Sequence, residues 1–193
     1  MSSTVRTFIA IDLNKEIRDF IHQVQSELKK IDCDVKWVTP SDAHLTIKFI
    51  GNITEEQTES VIRQLKSLYF KFEKNTFHLD KTGVFPSFKQ PRIIWLGMKD
   101  IDHALKDLAD TVDFLLNMIG YPTNERPFQP HVTIGRVKSQ KSIFQLSQKI
   151  QSTQIPSDLI LKINELILFK STLTPTGPIY EKLAQISLGP NNA

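Results

Sequence analysis

Two distant segments of the sequence, HLTIKFIG and HVTIGR, alternate polar and apolar residues in the same way. Side chains of a β-strand point to opposite faces in turn, so each segment predicts a strand with one polar face and one apolar face. On this expectation the polar face of the first strand carries His44, Thr46 and Lys48, and that of the second carries His131 and Thr133. Two copies of one unusual face need a common explanation.

The apolar residues of these segments are expected to be buried, namely Leu45, Ile47, Phe49, Val132 and Ile134. Elsewhere, apolar spacing and turn residues predict further strands at 7–13, 77–85, 92–98, 159–171 and 178–188, the last two divided by the turn 174–178. The same signals predict helices that begin at Asn14 and Thr54, and helices over 105–119 and 142–151.

Strands and helices alternate, yet no glycine-rich phosphate loop follows any strand, and short turns dominate among the strands. This pattern predicts an α+β fold with mainly antiparallel sheets. Each half of the chain carries a proline, a His-x-Thr strand and then a helix, which predicts a duplicated pair of lobes with a cleft between them. The 193 residues are expected to form a single domain, 1–193.

Composition excludes several classes of protein. The single cysteine, Cys33, permits no internal disulfide and no thiolate zinc site. No apolar run is long enough to cross a bilayer and the N-terminus does not resemble a signal peptide, so the expected location is the cytoplasm. The formal net charge is +3, but basic residues gather near the two motifs and predict an anionic ligand; they are Lys89, Arg92, Arg126, Arg136, Lys138 and Lys141. For any one of these, the alternative is ordinary solvation of the surface.

Two histidines that face one cleft can cleave a phosphodiester without a metal, because one accepts a proton from the nucleophile and the other donates one to the leaving oxygen. The hydroxyls of Thr46 and Thr133 can donate hydrogen bonds to the phosphoryl oxygens, and Lys48 can add a charge. In an ideal strand Arg136 points to the opposite face, unless the strand bulges at Gly135. Arg126 lies on a loop and is less constrained.

Other readings of the histidines stay open. Each His-x-Thr pair can be a half-buried structural histidine beside a β-prone threonine. A metal site is disfavoured, because the two motifs supply only two histidines and no nearby Cys, Asp or Glu at ligand spacing. His22, His78 and His103 are expected to be structural or exposed.

The two motifs resemble the signatures of the 2H phosphoesterases. Together with RTFIAIDL, GVFPSFKQPRIIWLG, RPFQPHVTIGR and LFKSTLTPTGPIYEKL, they resemble the RNA 2′,3′-cyclic phosphodiesterases, also called 2′-5′ RNA ligases, over residues 6–188. The resemblance implies two antiparallel sheets that face a central cleft, with helices packed outside. It implies that His44 is the proton donor, that His131 is the acceptor, and that Thr46 and Thr133 hold the phosphate. One departure is Gly135, where alanine is more common in the family.

The resemblance therefore implies a cytoplasmic monomer that needs no cofactor and opens the 2′,3′-cyclic phosphates of RNA, tRNA fragments among them, with 2′-5′ ligation as the reverse reaction. Phe85 or Phe88 is expected to stack on a base, although Phe85 can equally be a core residue. Two alternatives stay open. One is a module that binds RNA ends without turnover, and the other is a relative that acts on a small cyclic nucleotide.

Overall fold

The computed structural model describes residues 4–175 and 177–189. The strands are β1 (Val5–Asp12), β2 (Val35–Trp37), β3 (His44–Ile53), β4 (Asn75–Phe85), β5 (Ile93–Met98), β6 (His131–Val137), β7 (Ile160–Ile163), β8 (Glu165–Leu173) and β9 (Pro178–Ser187). The helices are α1 (Lys15–Leu28), α2 (Glu55–Leu65), α3 (Ala104–Asn117) and α4 (Ile143–Gln151), with short 3₁₀ turns at Pro40–Asp42 and Lys66–Phe70. Of the predicted turn 174–178, Thr176 lies outside the described residues.

The strands form a curled, antiparallel sheet in the order β7-β4-β5-β6-β3-β1-β8-β9, with β2 paired to β6. The two motif strands, β3 and β6, lie side by side at the middle and are joined through the pair Leu45 and Val132. One lobe is therefore β3-β1-β8-β9 and the other is β6-β5-β4-β7. The predicted α+β class, the antiparallel pairing and the two lobes are confirmed.

The first half of the chain contributes β4 to the second lobe, and the second half contributes β8 and β9 to the first lobe. In the first lobe β1 pairs with β3 from its own half and with β8 from the second half. In the second lobe β5 pairs with β6 from its own half and with β4 from the first half. The two lobes are thus related by an exchange of strands as well as by similar sequence.

The helices pack on the side of the sheet that carries the apolar faces of the motif strands. Leu45 and Val132 are fully buried there, and one continuous core extends from α1 to β7. Helix α3 contacts β3 and α2, whereas α4 contacts β4 and α1. This leaves the polar face of β3 and β6 on the other side of the sheet, in the cleft.

Local signals place the helix starts correctly. Thr54 and Gln57 form the predicted capping box, in which each side chain bonds the backbone N–H of the other residue. Asn14 precedes α1 as predicted, although its side chain donates to Glu16 and to the Ile160 carbonyl and does not cap the helix. No helix of the described residues is long and apolar enough to span a membrane.

Candidate active site

The two motif histidines are held in the same way. His44 Nδ1 lies 2.8 Å from the carbonyl oxygen of Asp42, and His131 Nδ1 lies 2.7 Å from that of Gln129. A carbonyl oxygen only accepts hydrogen bonds, so each Nδ1 carries a hydrogen. In the neutral ring the proton-accepting atom is then Nε2, and neither Nε2 has a partner within the described residues. Each imidazole is therefore fixed in one tautomer, with Nε2 available to a ligand.

The register of β3 and β6 arranges the motif residues around a centre. Leu45 pairs with Val132, and because the strands are antiparallel, His44 lies on the Thr133 side of this pair and Thr46 lies on the His131 side. Each histidine thus has the other strand's threonine as its neighbour across the cleft face.

Lys48 does not share this face, so that prediction is wrong. Ala10 of β1 pairs with Thr46 and Ile9 pairs with Lys48, which leaves Ile47 as the extra residue of a β-bulge. The bulge reverses the alternation, so that Lys48 turns to the helix side and Phe49 turns to the cleft side. Lys48 is 3% exposed, whereas Phe49, which was expected to be buried, is 63% exposed.

Lys48 connects β3 to the segment that precedes the second motif. Its ammonium forms an ion pair with Asp113 of α3 and donates to the Pro122 carbonyl at 2.7 Å. Asp113 also accepts from the backbone N–H of Asn124. Lys48 therefore has its partners inside the protein, on the side of the sheet away from the histidines.

Strand β6 bulges at the equivalent place, which moves Arg136 onto the cleft face. Trp95 of β5 pairs with Thr133 and Ile94 pairs with Gly135, so Ile134 is the extra residue. Beyond it, Arg136 shares the face of Thr133. Arg136 was expected to reach a phosphate only if its strand bulged. The strand does bulge, at Ile134, one residue before Gly135.

Gly135 is surrounded by two side chains of β2. A Cβ atom added at Gly135 would lie 3.0 Å from both the Trp37 ring and the Val35 side chain. Such contacts are closer than normal van der Waals packing. The absence of a side chain at Gly135 thus accommodates Trp37 in this chain.

An aromatic wall borders His44. The ring of Phe8 is 4.8 Å from the imidazole centroid, and the Tyr180 ring meets the imidazole edge-on at 5.2 Å. Phe169 stacks on Phe8 at 5.2 Å, and both phenylalanines are buried. These residues come from β1, β8 and β9, which lie outside the two His-x-Thr motifs.

A second aromatic pair borders His131. Phe85 meets its imidazole edge-on at 5.1 Å, and Trp95 lies 5.1 Å from Phe85. The indole rests on Gly83 and Gly97, where an added Cβ would overlap the ring at 2.3 Å and 2.9 Å. Phe85 is therefore a half-buried cleft residue.

Two other predicted binding residues lie away from the histidines. Phe88 packs against the hydrophobic core, and its carbonyl accepts from Ser147. Arg126 lines a hollow of about 290 Å³ beside α3, together with Asp110 and Asp113. Within the described residues no hydrogen bond, ion pair or ring contact joins Arg126 to either histidine.

Burial lowers the pKa of His44 and of His131, because a cation is poorly solvated there, and the Arg136 guanidinium lowers both further. The carbonyls bonded to Nδ1 act in the opposite direction. Two carboxylates, Asp12 and Asp42, also raise the pKa of His44, whereas none of the described carboxylates acts on the pKa of His131. The two rings are thus electrostatically different although their geometry is alike.

The structure brings together His44, Thr46, His131, Thr133, Arg136 and Phe85. The His-x-Thr motifs do not include Phe8, Tyr180 or Trp95, nor Asp12, the register partner of His44. A usable signal was present in RTFIAID, since alternation on β1 puts Phe8 and Asp12 on one face. Among the described residues no group of three His, Cys, Asp or Glu side chains is arranged to hold a metal ion.

Comparison with known proteins gives a consistent picture. The sequence model of a family described as LigT like Phosphoesterase matches residues 11–95 and again 96–180, so each match contains one His-x-Thr motif. The RNA 2′,3′-cyclic phosphodiesterase of Methanothermobacter thermautotrophicus is 35% identical over 179 residues, which cover 91% of this chain and 95% of that protein. The protein of the same name from Aquifex aeolicus is 34% identical over 190 residues, covering 96% and 98%. The fold is that of the apo crystal structure of E. coli LigT, with a TM-score of 0.77, 24% identity, and coverage of 97% and 99%.

Proposed function

Because the chain belongs to the LigT-like 2H phosphoesterases, we propose that it opens the 2′,3′-cyclic phosphate at the end of an RNA strand and leaves a 2′-phosphate. Its relatives at 35% and 34% identity are named RNA 2′,3′-cyclic phosphodiesterases. The observation that carries the proposal is the pair of histidines, each tied through Nδ1 and each with Nε2 free in the same cleft. Such a pair can accept a proton on one side of a phosphate and donate one on the other.

In the proposed reaction His131 Nε2 accepts a proton from water as the water oxygen attacks phosphorus. His44, protonated at Nε2, donates its proton to the departing 3′ oxygen, so the P–O3′ bond breaks and phosphate stays on the 2′ oxygen. The assignment of the donor is supported by Asp12 and Asp42, whose negative charge raises the pKa of His44 alone. The phosphate itself favours the protonated form further when it binds.

The remaining groups on the cleft face stabilise the charge of the phosphoryl oxygens. The hydroxyls of Thr46 and Thr133 donate hydrogen bonds to them, and the Arg136 guanidinium supplies a positive charge. The reverse reaction, with an RNA 5′ hydroxyl in place of water, would form a 2′-5′ linkage. The protein is proposed to act as a cytoplasmic monomer on RNA fragments, those of tRNA included.

The decisive experiment is incubation of the protein with an RNA oligomer that ends in a 2′,3′-cyclic phosphate, with the terminal phosphate mapped in the product. Turnover to a 2′-phosphate is expected, and binding without turnover would instead favour a module that holds RNA ends. A product with mainly 3′-phosphate ends would reverse the orientation of the substrate and the two histidine roles.

A parallel reaction in EDTA tests whether a metal takes part. Activity is expected to survive, because the histidines perform the proton transfers that a metal would otherwise assist. Loss of activity in EDTA with recovery on added zinc or magnesium would contradict the two-histidine mechanism.

A further inference from the structure

Two basic side chains extend the cleft beyond Arg136. Lys36 of β2 is the register partner of Arg136 on β6, so the two side chains lie next to each other on one face. Arg6 lies two residues before Phe8 on β1, and alternation puts it on the same face as Phe8. Both Lys36 and Arg6 are exposed. They approach from different lobes, because β2 belongs to the lobe of His131 and β1 to the lobe of His44.

Arg6 and Arg136 act on Tyr180, and Lys36 reaches the hairpin that carries it. The Tyr180 ring is 5.2 Å from Phe8, and the positive charges of Arg6 and Arg136 both act on its hydroxyl, together with the negative charge of Asp42. Lys36 Nζ lies 4.0 Å from the position that a Cβ at Gly177 would occupy, in the turn between β8 and β9. Lys36 therefore reaches from its own lobe to the hairpin that carries Tyr180.

None of these three cations has an acidic partner within the described residues. Their neighbours on the same hairpin do, since Lys170 pairs with Glu181 at 2.9 Å and Lys182 pairs with Asp12 at 2.7 Å. Like charges that are brought together without partners repel each other, and an anion with more than one phosphate would remove that repulsion. Arg6 and Lys36 are thus two exposed cations, one from each lobe, that the proposed hydrolysis of the cyclic phosphate does not use.

We propose that Arg6 and Lys36 bind the phosphate that precedes the cyclic end, which makes a single-stranded RNA oligomer the substrate in preference to a cyclic mononucleotide. This inference rests on the proposed function. Adjacent strands lie about 5 Å apart, so neighbouring phosphates of one strand can reach Arg136 and Lys36 together. A mononucleotide has only the reacting phosphate and gains nothing from the second site.

The test compares two substrates with the same terminal nucleoside, a 2′,3′-cyclic mononucleotide and a trinucleotide with a 2′,3′-cyclic end. For the Arg6→Gln/Lys36→Gln protein, kcat/KM on the trinucleotide is expected to fall about tenfold or more, and kcat/KM on the mononucleotide to change less than about twofold. The plot of log kcat/KM for the trinucleotide against log salt should become shallower by about 0.7 for a lost phosphate contact. Lys66→Gln, which removes an exposed charge outside the cleft, is the matched control and should leave kcat/KM on both substrates unchanged.

The outcomes separate the two proposals. Equal losses on both substrates, or no loss on either, would overturn the second phosphate site and leave the proposed function intact. A wild-type protein that prefers the mononucleotide would also overturn the second phosphate site and leave the proposed function intact. A wild-type protein that opens neither substrate would overturn the proposed function and this inference with it. Circular dichroism melting of each variant verifies that the fold is retained.

Discussion

At the scale of single residues, the histidines gain their chemical roles from what surrounds their rings. A carbonyl oxygen fixes each Nδ1–H, burial favours the neutral ring, and Asp12 and Asp42 favour the proton on His44 only. Two side chains of one type can thus act as acid and base at the same pH.

His44→Ala and His131→Ala are each expected to lower kcat/KM on a cyclic-phosphate RNA by about 10²–10⁴-fold, because each change removes one half of the acid–base pair. Steady-state kinetics with thermal melting measures this. His22→Ala, which alters an exposed histidine of α1, is the control and should keep wild-type activity. Near-normal turnover by either motif variant would end the two-histidine mechanism.

Thr46→Val and Thr133→Val keep the side-chain shape and delete one hydroxyl. Each is expected to lower kcat by about 10²-fold or less, since a hydrogen bond to a phosphoryl oxygen is lost but proton transfer remains. The same kinetic assay measures both variants beside the histidine variants. Threonine losses as large as the histidine losses would give these residues a different role.

The pH profile of kcat/KM follows from the direction of the pKa shifts. The productive enzyme has His44 protonated and His131 neutral, and the pKa of each is lowered from 6.5. A bell-shaped profile is therefore expected, with its maximum below about pH 6.5. Because the coupled pair titrates together, the two limbs are macroscopic values of the pair.

Arg136→Gln tests the cause of these shifts. Removal of its positive charge raises the pKa of both histidines, so the maximum should move to higher pH while kcat/KM falls about tenfold or more. Rates measured from about pH 5 to about pH 9 give the profile. Arg126→Gln, which removes an arginine that contacts neither histidine, should not change the pH at which kcat/KM is maximal. An unshifted profile in Arg136→Gln would show that Arg136 does not act on the pair.

At the scale of the elements, a bulge in each motif strand decides which residues enter the cleft. The extra residue is Ile47 in β3 and Ile134 in β6. In β3 the reversal moves Lys48 into the protein, and in β6 it moves Arg136 into the cleft. Residues at equivalent positions of the two motifs therefore have different roles. Phe49 in β3 is at the position that corresponds to Arg136 in β6.

Lys48→Met is expected to lower the free energy of unfolding by about 3 kcal/mol, because it leaves the carboxylate of Asp113 partly buried without its cation. Urea denaturation measures the loss, and Lys48→Met/Asp113→Leu should recover most of it. The folded single variant should keep kcat/KM within about threefold. A large loss of activity without a loss of stability would instead place Lys48 at the phosphate.

At the scale of the whole molecule, the exchange of strands ties the two halves together, and we infer that residues 1–193 form one folding unit. Within the described residues β4 of the first half pairs only with β5 and β7, and β8 of the second half pairs with β1 and β9. One half alone would leave unpaired strand edges and an exposed apolar core face.

Fragments 1–89 and 90–193, cut in the exposed loop between β4 and β5, test this inference. Each fragment alone is expected to show no cooperative thermal unfolding, because its strands lack their partners from the other half. The two together should regain a cooperative transition and activity. Cooperative unfolding of an isolated fragment would contradict a single unit.

The sequence by itself determined the α+β class, the helix starts, the two His-x-Thr strands and the family, because these depend on local periodicity, capping and motif residues. It also placed Thr46 and Thr133 beside the histidines, since alternation holds over two residues. The tertiary structure decided on which side of the sheet the side chains of Lys48, Phe49 and Arg136 lie. Whether a strand bulges depends on the register of the neighbouring strands, and beyond a bulge the alternation reverses. The tertiary structure also decided which aromatic rings border the histidines, because these contacts depend on strand pairings between residues far apart in sequence.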